Sequence, residues 1–273
     1  MKIVDEVKIK NQGYQNELRE KRIALNQVKA VILGCRVDIL DTTQCLDKIA
    51  ELISARTTAH VITLNAEIVY QAQNNPVLMD IINQAALVTP DGIGIVWGGR
   101  QLGYAIPERV SGIDLLWGIC QTAPAKEWKI YLLGSSPGVA DEAAGRLKAQ
   151  FPGLSICGSH HGYFQAEDEP SIIADINRSQ ADILVVSLGA PKQEIWISKH
   201  KKDLAAPVCI GVGGSLDVIA GHKKRAPDWM IKTNLEWLYR LLAEPSRWRR
   251  QLALPKFVLL IFKSKFNRIF KHN

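Results

Sequence analysis

Disulfide pairing is the first thing this sequence lacks. Its five cysteines, Cys35, Cys45, Cys120, Cys157 and Cys209, form no C-x-x-C pair, and their odd number argues against a disulfide framework and for a reducing compartment. No run of about 18 apolar residues occurs, so a spanning helix is excluded on length and any membrane contact is expected to be peripheral. The first thirty residues carry Asp5, Glu6, Lys8, Lys10, Glu17, Arg19, Glu20, Lys21 and Arg22, which leaves no apolar stretch for a signal peptide and points to a cytoplasmic protein. Strict D-x-D, a common Mg²⁺ or Mn²⁺ diphosphate clamp, is absent, and the adjacent His160 and His161 have no evident third ligand, so no metal is expected. The dinucleotide fingerprint is incomplete as well. Gly134 and Gly138 are wrongly spaced, and after Gly211 and Gly213 a leucine, Leu216, stands where G-x-G-x-x-G needs its third glycine.

What is present suits a folded domain: 47% of the residues are hydrophobic and 22% charged, enough to bury one sizeable core. The net charge of +7 is unevenly placed. Arg240, Arg247, Arg249, Arg250, Lys256, Lys263, Lys265, Arg268 and Lys271 face the single anion Glu244, so the closing segment is strongly basic and the rest of the chain is close to neutral.

From Ala30 onward short β-branched runs alternate with longer helical patterns, the signature of an α/β domain with a largely parallel, Rossmann-like sheet and helices on both faces. The clearest strands are His60 to Leu64, Lys129 to Leu133, Asp182 to Leu188 and Val208 to Val212. Three regions follow: a polar extension over 1–30, an α/β core over 31–221, and a helical, basic, amphipathic appendage over 222–273. Ligands in open α/β sheets bind at the carboxyl ends of the strands, where helix N-termini also favour phosphate, so a nucleotide or phosphorylated ligand is expected there.

Several residues at those ends have two readings. Asp91, in Thr89-Pro90-Asp91-Gly92-Ile93-Gly94, is either a turn or N-cap residue or a general base on a rigid turn. Thr63 and Asn65, where a strand meets a helix, either cap it or position a sugar or phosphate. Arg109 is a surface cation or a bidentate diphosphate ligand. Lys192 and Gln193 lie in a solvated turn or reach phosphate and sugar hydroxyls. Tyr163 packs in the core or stacks on a base, and Asp217 caps its helix or accepts from a ribose. Gly134, Gly189 and Gly213 lie in the turns that would meet substrate.

Taken together, Thr63-Leu64-Asn65-Ala66-Glu67, the Pro90-Asp91-Gly92-Ile93-Gly94 run, Pro107-Glu108-Arg109-Val110-Ser111-Gly112, Leu188-Gly189-Ala190-Pro191-Lys192-Gln193-Glu194, Gly211-Val212-Gly213-Gly214, Arg225-Ala226-Pro227 and Leu235-Glu236-Trp237-Leu238-Tyr239-Arg240 resemble the WecG/TagA/CpsF glycosyltransferases. The resemblance spans roughly residues 31 to 250, with the motifs in order. It implies an inverting enzyme that moves an N-acetylmannosamine-type sugar from a UDP donor to a polyprenyl-diphosphate-linked sugar, without a cofactor beyond the donor. Asp91 matches the family's proposed base, and Thr63, Arg109 and Gln193 are drawn toward the site. Arg240, Arg247 and Arg250 resemble its C-terminal arginines. The fold-level alternative is an NAD-dependent sugar-nucleotide oxidoreductase or epimerase.

In the appendage, Trp229, Trp237 and Trp248 alternate with cations before the apolar run Phe257 to Phe262, a pattern suited to an anionic membrane surface. The cations alone would equally suit nucleic acid, but an exposed apolar run does not help there, and no nucleic-acid partner is expected. A peripheral position on the inner face of the cell membrane follows. The sequence leaves the oligomeric state open, a homo-oligomer included.

Overall fold

The computed structural model describes residues 29–244 and 248–271, without the side chains of Arg240, Arg249 and residues 268–271. The polar extension up to residue 28, Arg247 and the Arg240 side chain thus lie outside the described residues. The elements in chain order are β1 (Lys29–Ile32), β2 (Cys35–Asp38), α1 (Thr42–Ser54), β3 (Ala59–Leu64), α2 (Ala66–Ala72), α3 (Pro76–Gln84), β4 (Leu87–Pro90), α4 (Ile93–Gln101), α5 (Gly112–Lys126) and β5 (Lys129–Gly134). They continue with α6 (Val139–Gln150), β6 (Ser155–His160), α7 (Glu169–Arg178), β7 (Ile183–Ser187), α8 (Lys192–His200), β8 (Val208–Gly211), α9 (Ser215–Ile219), α10 (Asp228–Lys232), α11 (Glu236–Ala243), α12 (Trp248–Gln251) and α13 (Ala253–Lys271).

Strands β3 to β8 form one six-stranded parallel sheet in the order β4-β3-β8-β7-β5-β6. Alternation along the strands divides the core. Val61, Leu132, Val185 and Ile210 face Ile49, Leu116, Leu147 and Leu216 of α1, α5, α6 and α9. On the opposite face, Ile62, Leu64 and Val88 meet Ile68, Leu78 and Ile95 of α2, α3 and α4, while Leu133, Leu184 and Val186 meet Ile172, Ile176, Trp196 and Ile197 of α7 and α8. The chain leaves β5 outward to β6 but leaves the neighbouring β7 inward to β8, so a switch point opens above Gly134 and Ser187.

The four strands read from sequence are present with ends shifted by at most a residue. Two elements were not legible. The hairpin β1–β2 turns at Leu33 and Gly34, both at positive φ (50° and 85°), the geometry of a two-residue hairpin loop. Strand β4 is short and ends in proline, which is tolerated because β4 is an edge strand.

The appendage is not separate from the core. Phe257 and Ile261 are 1% and 0% exposed and belong to the same cluster as Ile62 and Leu64. They are one helical turn apart and face α2 and α4. Gly98 makes the approach of α13 feasible, since a Cβ there would lie 2.9 Å from Phe257 Cζ. The apolar run at 257 to 262, read as membrane-facing, is therefore divided: Leu259 and Phe262, 69% and 46% exposed, point outward with Phe266.

Candidate functional site

The loop after β4 is strapped to its neighbours by backbone bonds. Asp91 N donates to Leu64 O (2.8 Å) and Val110 N donates to Pro90 O (2.9 Å). The buried Thr89 hydroxyl donates to Val110 O at 3.1 Å. Gly92, at φ 90°, is the N-cap of α4, so Asp91 stands one residue outside that helix and does not cap it. Its Oδ2 instead accepts from Gly112 N at 3.4 Å, at the start of α5. A Cβ on Gly112 would lie 3.3 Å from both Thr63 Oγ1 and Val212 Cα, so the ends of β3, β4 and β8 converge on this point.

Arg109 lies beside Asp91 and is half-buried among carboxylates. It donates to Glu236 of α11 and, at 3.1 Å, to Asp114 Oδ2. Asp114 also accepts from Ser111 Oγ (2.6 Å) and from Arg225. Burial alone would lower the Arg109 guanidinium; the surrounding Glu236, Asp114 and Asp91 outweigh it and raise the group above its ordinary value. The Arg109 motif thus meets Arg225 and Glu236, both more than a hundred residues later, in one ionic network.

Thr63 and Gln193, read as touching substrate, are 5% and 2% exposed and already engaged. Thr63 Oγ1 donates to Gly211 O (2.9 Å), stitching β3 to β8. Gln193 Oε1 accepts from Gly213 N (3.0 Å), and its Nε2 donates to Glu194 Oε1 (2.8 Å). Both support the site from beneath. Glu194 itself is fully buried, and its Oε2 has no hydrogen-bond partner among the described residues. As the third residue of α8 it would ordinarily reach back to the N-cap backbone N–H, but the N-cap is Pro191, which has none. A helix N-terminus favours a carboxylate by about 0.3–1 kcal/mol, whereas burying an unpaired charge costs several. Burial wins, and the Glu194 carboxyl is pushed up from its ordinary value.

At the switch point, Gly134 (φ 136°) leaves no room for a side chain against the Ser187 backbone. Ser135, at a left-handed φ of 58°, directs its hydroxyl to Asp217 Oδ2 (3.0 Å) and within 3.2 Å of Ser187 Oγ. Ser187 in turn donates to Gly213 O. Gly134, Gly213 and Asp217 are therefore gathered in one polar crevice. Asn65 caps α2, its Oδ1 accepting from Ile68 N at 3.0 Å. Gly189 lies in the turn before α8 at φ 76°. Lys192 is exposed, 5.5 Å from the Phe164 ring centre, and Tyr163 is 71% exposed, so it is not a core aromatic.

Of the C-terminal arginines, Arg250 is placed: its Nε donates to Glu67 Oε1 (2.6 Å) and its Nη2 to Ala190 O (3.3 Å). It lines a groove of about 240 Å³ with Glu67, Tyr70, Gln71 and Lys256. Residues missed in the sequence are Asp114, Glu236, Glu194, Ser135 and Ser187. The Ser111-x-x-Asp114 spacing is a helix-start signal that could have exposed Asp114. Nothing local marks the others, because each acts through a partner far along the chain.

The glycosyl transferase WecG/TagA/CpsF family matches residues 30–271. Among relatives, an N-acetylglucosaminyldiphosphoundecaprenol N-acetyl-beta-D-mannosaminyltransferase of Bacillus spizizenii is 37% identical over 75% of this chain and 79% of its own. Proteins of the same name from Bacillus subtilis and Staphylococcus aureus are 34% and 35% identical, over 79% and 88% of this chain and 84% and 94% of theirs. With the parallel sheet and the motifs gathered at its carboxyl edge, this places the chain in the WecG/TagA/CpsF family, and it is a glycosyltransferase.

Proposed function

We propose that this glycosyltransferase moves an N-acetylmannosaminyl residue from a UDP donor to an N-acetylglucosaminyl-diphosphate-polyprenol acceptor in cell-surface polysaccharide synthesis, with inversion. The observation that carries the reading is the Asp91 carboxylate, held at the start of α5 beside Arg109 where three strand ends converge. In the transfer, the acceptor hydroxyl gives its proton to Asp91 as its oxygen bonds to the anomeric carbon. The bond from that carbon to the diphosphate breaks on the opposite face, and UDP leaves with the electron pair. The names of the relatives supply the sugar and acceptor; an α-linked donor giving the β-linked product they specify is inversion.

The donor is assigned to the crevice over Gly134, Ser135, Gly213 and Asp217, with the Gly213 turn against its diphosphate. Leaving-group charge falls to cationic side chains and backbone N–H groups rather than a D-x-D metal. The outward residues of the appendage, Trp248, Leu259, Phe262 and Phe266, with their neighbouring lysines, dock on anionic lipid at the inner face of the membrane. No helix among the described residues is long and apolar enough to cross a membrane. Incubation with UDP-N-acetylmannosamine and the lipid-linked acceptor, followed by mass and anomeric analysis of the product, tests the proposal. A β-linked N-acetylhexosamine addition is expected; no transfer, or an α-linked product, overturns it.

A further inference from the structure

The Gly213 turn is fixed by a relay of side chains buried beneath it. Gly213 N–H needs an acceptor and finds Gln193 Oε1 at 3.0 Å, which fixes the amide's orientation and aims its Nε2 away from the turn. That Nε2 finds Glu194 Oε1 at 2.8 Å. The amide has no slack on its other side either, because a Cβ on Gly211 would lie 2.5 Å from Gln193 Nε2. Glu194 ends the relay in the core: it is fully buried, and its remaining oxygen is unpartnered among the described residues.

From this geometry we infer that Glu194 is a positioning residue, which locks the Gln193 amide and through it the Gly213 turn on which the donor's diphosphate rests. The inference builds on the donor site proposed above. What the reaction needs from Glu194 is a hydrogen-bond acceptor at that point, not a negative charge: a carboxylate would serve Nε2 equally well, but its second oxygen would be a buried charge without a partner. The role is felt as donor affinity, because the residue shapes a surface that binds and does not approach the reacting atoms.

The full chain with Glu194→Met, Glu194→Gln, Gln193→Ala and the Gln193→Ala/Glu194→Met pair tests this. The first readout is amide exchange over residues 211–215, independent of any donor; the second is the KM and kcat for UDP-sugar, with UDP as the binding probe. Glu194→Met keeps the volume and loses the acceptor, and is expected to speed exchange in that segment and raise the donor KM about ten-fold or more with little change in kcat. Glu194→Gln, a neutral isostere, is expected to restore both. In the Gln193→Ala background Glu194→Met is expected to add nothing. Unchanged exchange in Glu194→Met, or a Glu194→Gln variant as impaired as Glu194→Met, overturns the inference. A wild-type chain that binds no UDP sinks the donor assignment instead, and the exchange comparison still decides the role of Glu194.

Discussion

Arg109, in the loop before α5, donates to Glu236, 127 residues later at the start of α11. The ion pair couples the appendage to the Asp91 edge of the sheet, because the same guanidinium also holds Asp114 and lies beside Asp91. Glu236 is 9% exposed, and a charged pair this sheltered is worth more than one in open solvent.

Removing the charge of Glu236 should therefore be felt at the site as well as in the tail. Glu236→Gln is expected to lower turnover about ten-fold on a short-chain soluble acceptor, where membrane docking plays no part. Equal rates for this variant and the wild type on that acceptor would separate the appendage from the proposed site.

The packing of α13 makes a second prediction. Gly98→Val is expected to destabilise the chain by about 1–3 kcal/mol through collision with Phe257. Phe257→Ala should cost about 3–5 kcal/mol by leaving a cavity against α4. Urea unfolding monitored by circular dichroism reads both. Midpoints unchanged from the wild type would mean that α13 does not complete the core.

His60 on β3 gives the fold a pH dependence of definite sign. Burial, with a contribution from Lys201, pushes its pKa down from 6.5 to about 3. The folded chain holds the neutral ring while the unfolded chain takes up a proton below 6.5, so stability is complete above that value and declines as pH falls toward 3. Between pH 7 and 5 this one group removes about 2 kcal/mol. His60→Leu should lose correspondingly less stability than the wild type over that interval, measured by denaturant titration at each pH. Parallel losses in the two proteins would rule His60 out as the source.

Leaving-group stabilisation without a D-x-D clamp leads to a fourth expectation: transfer should proceed in excess EDTA, and Arg109→Ala should be damaging under the same conditions. Activity abolished by the chelator and restored by Mg²⁺ or Mn²⁺ would contradict it.

Much of this was legible in the sequence where the signal is local. The β-branched runs from 60, 129, 182 and 208 are strands because central strands of a parallel sheet are apolar on both faces. Asp91 was marked by the Pro-Asp-Gly turn, whereas Asn65 stayed open between a helix cap and a substrate ligand until its bond from Ile68 N showed the cap. Leu87 to Pro90 escaped because four residues ending in proline read as a turn until an edge position is known. The support of the site escaped for a different reason. Whether Thr63 faces a ligand or Gly211 O depends on strand neighbours, and Gln193 depends on Gly213 and Glu194. The Phe257 run looked wholly exposed because nothing around it reveals Gly98, 159 positions earlier, as the surface that receives it.

For Asp91 as the proton acceptor in sugar transfer, the sharpest test is Asp91→Asn, which keeps the size and most of the hydrogen bonding while removing the base. Turnover of UDP-sugar with the lipid-linked acceptor, measured beside UDP binding by the same preparation, is the decisive comparison. A fall in turnover of about 10²–10⁴-fold with UDP affinity preserved is expected. Turnover within a few-fold of the wild type would remove Asp91 from the chemistry.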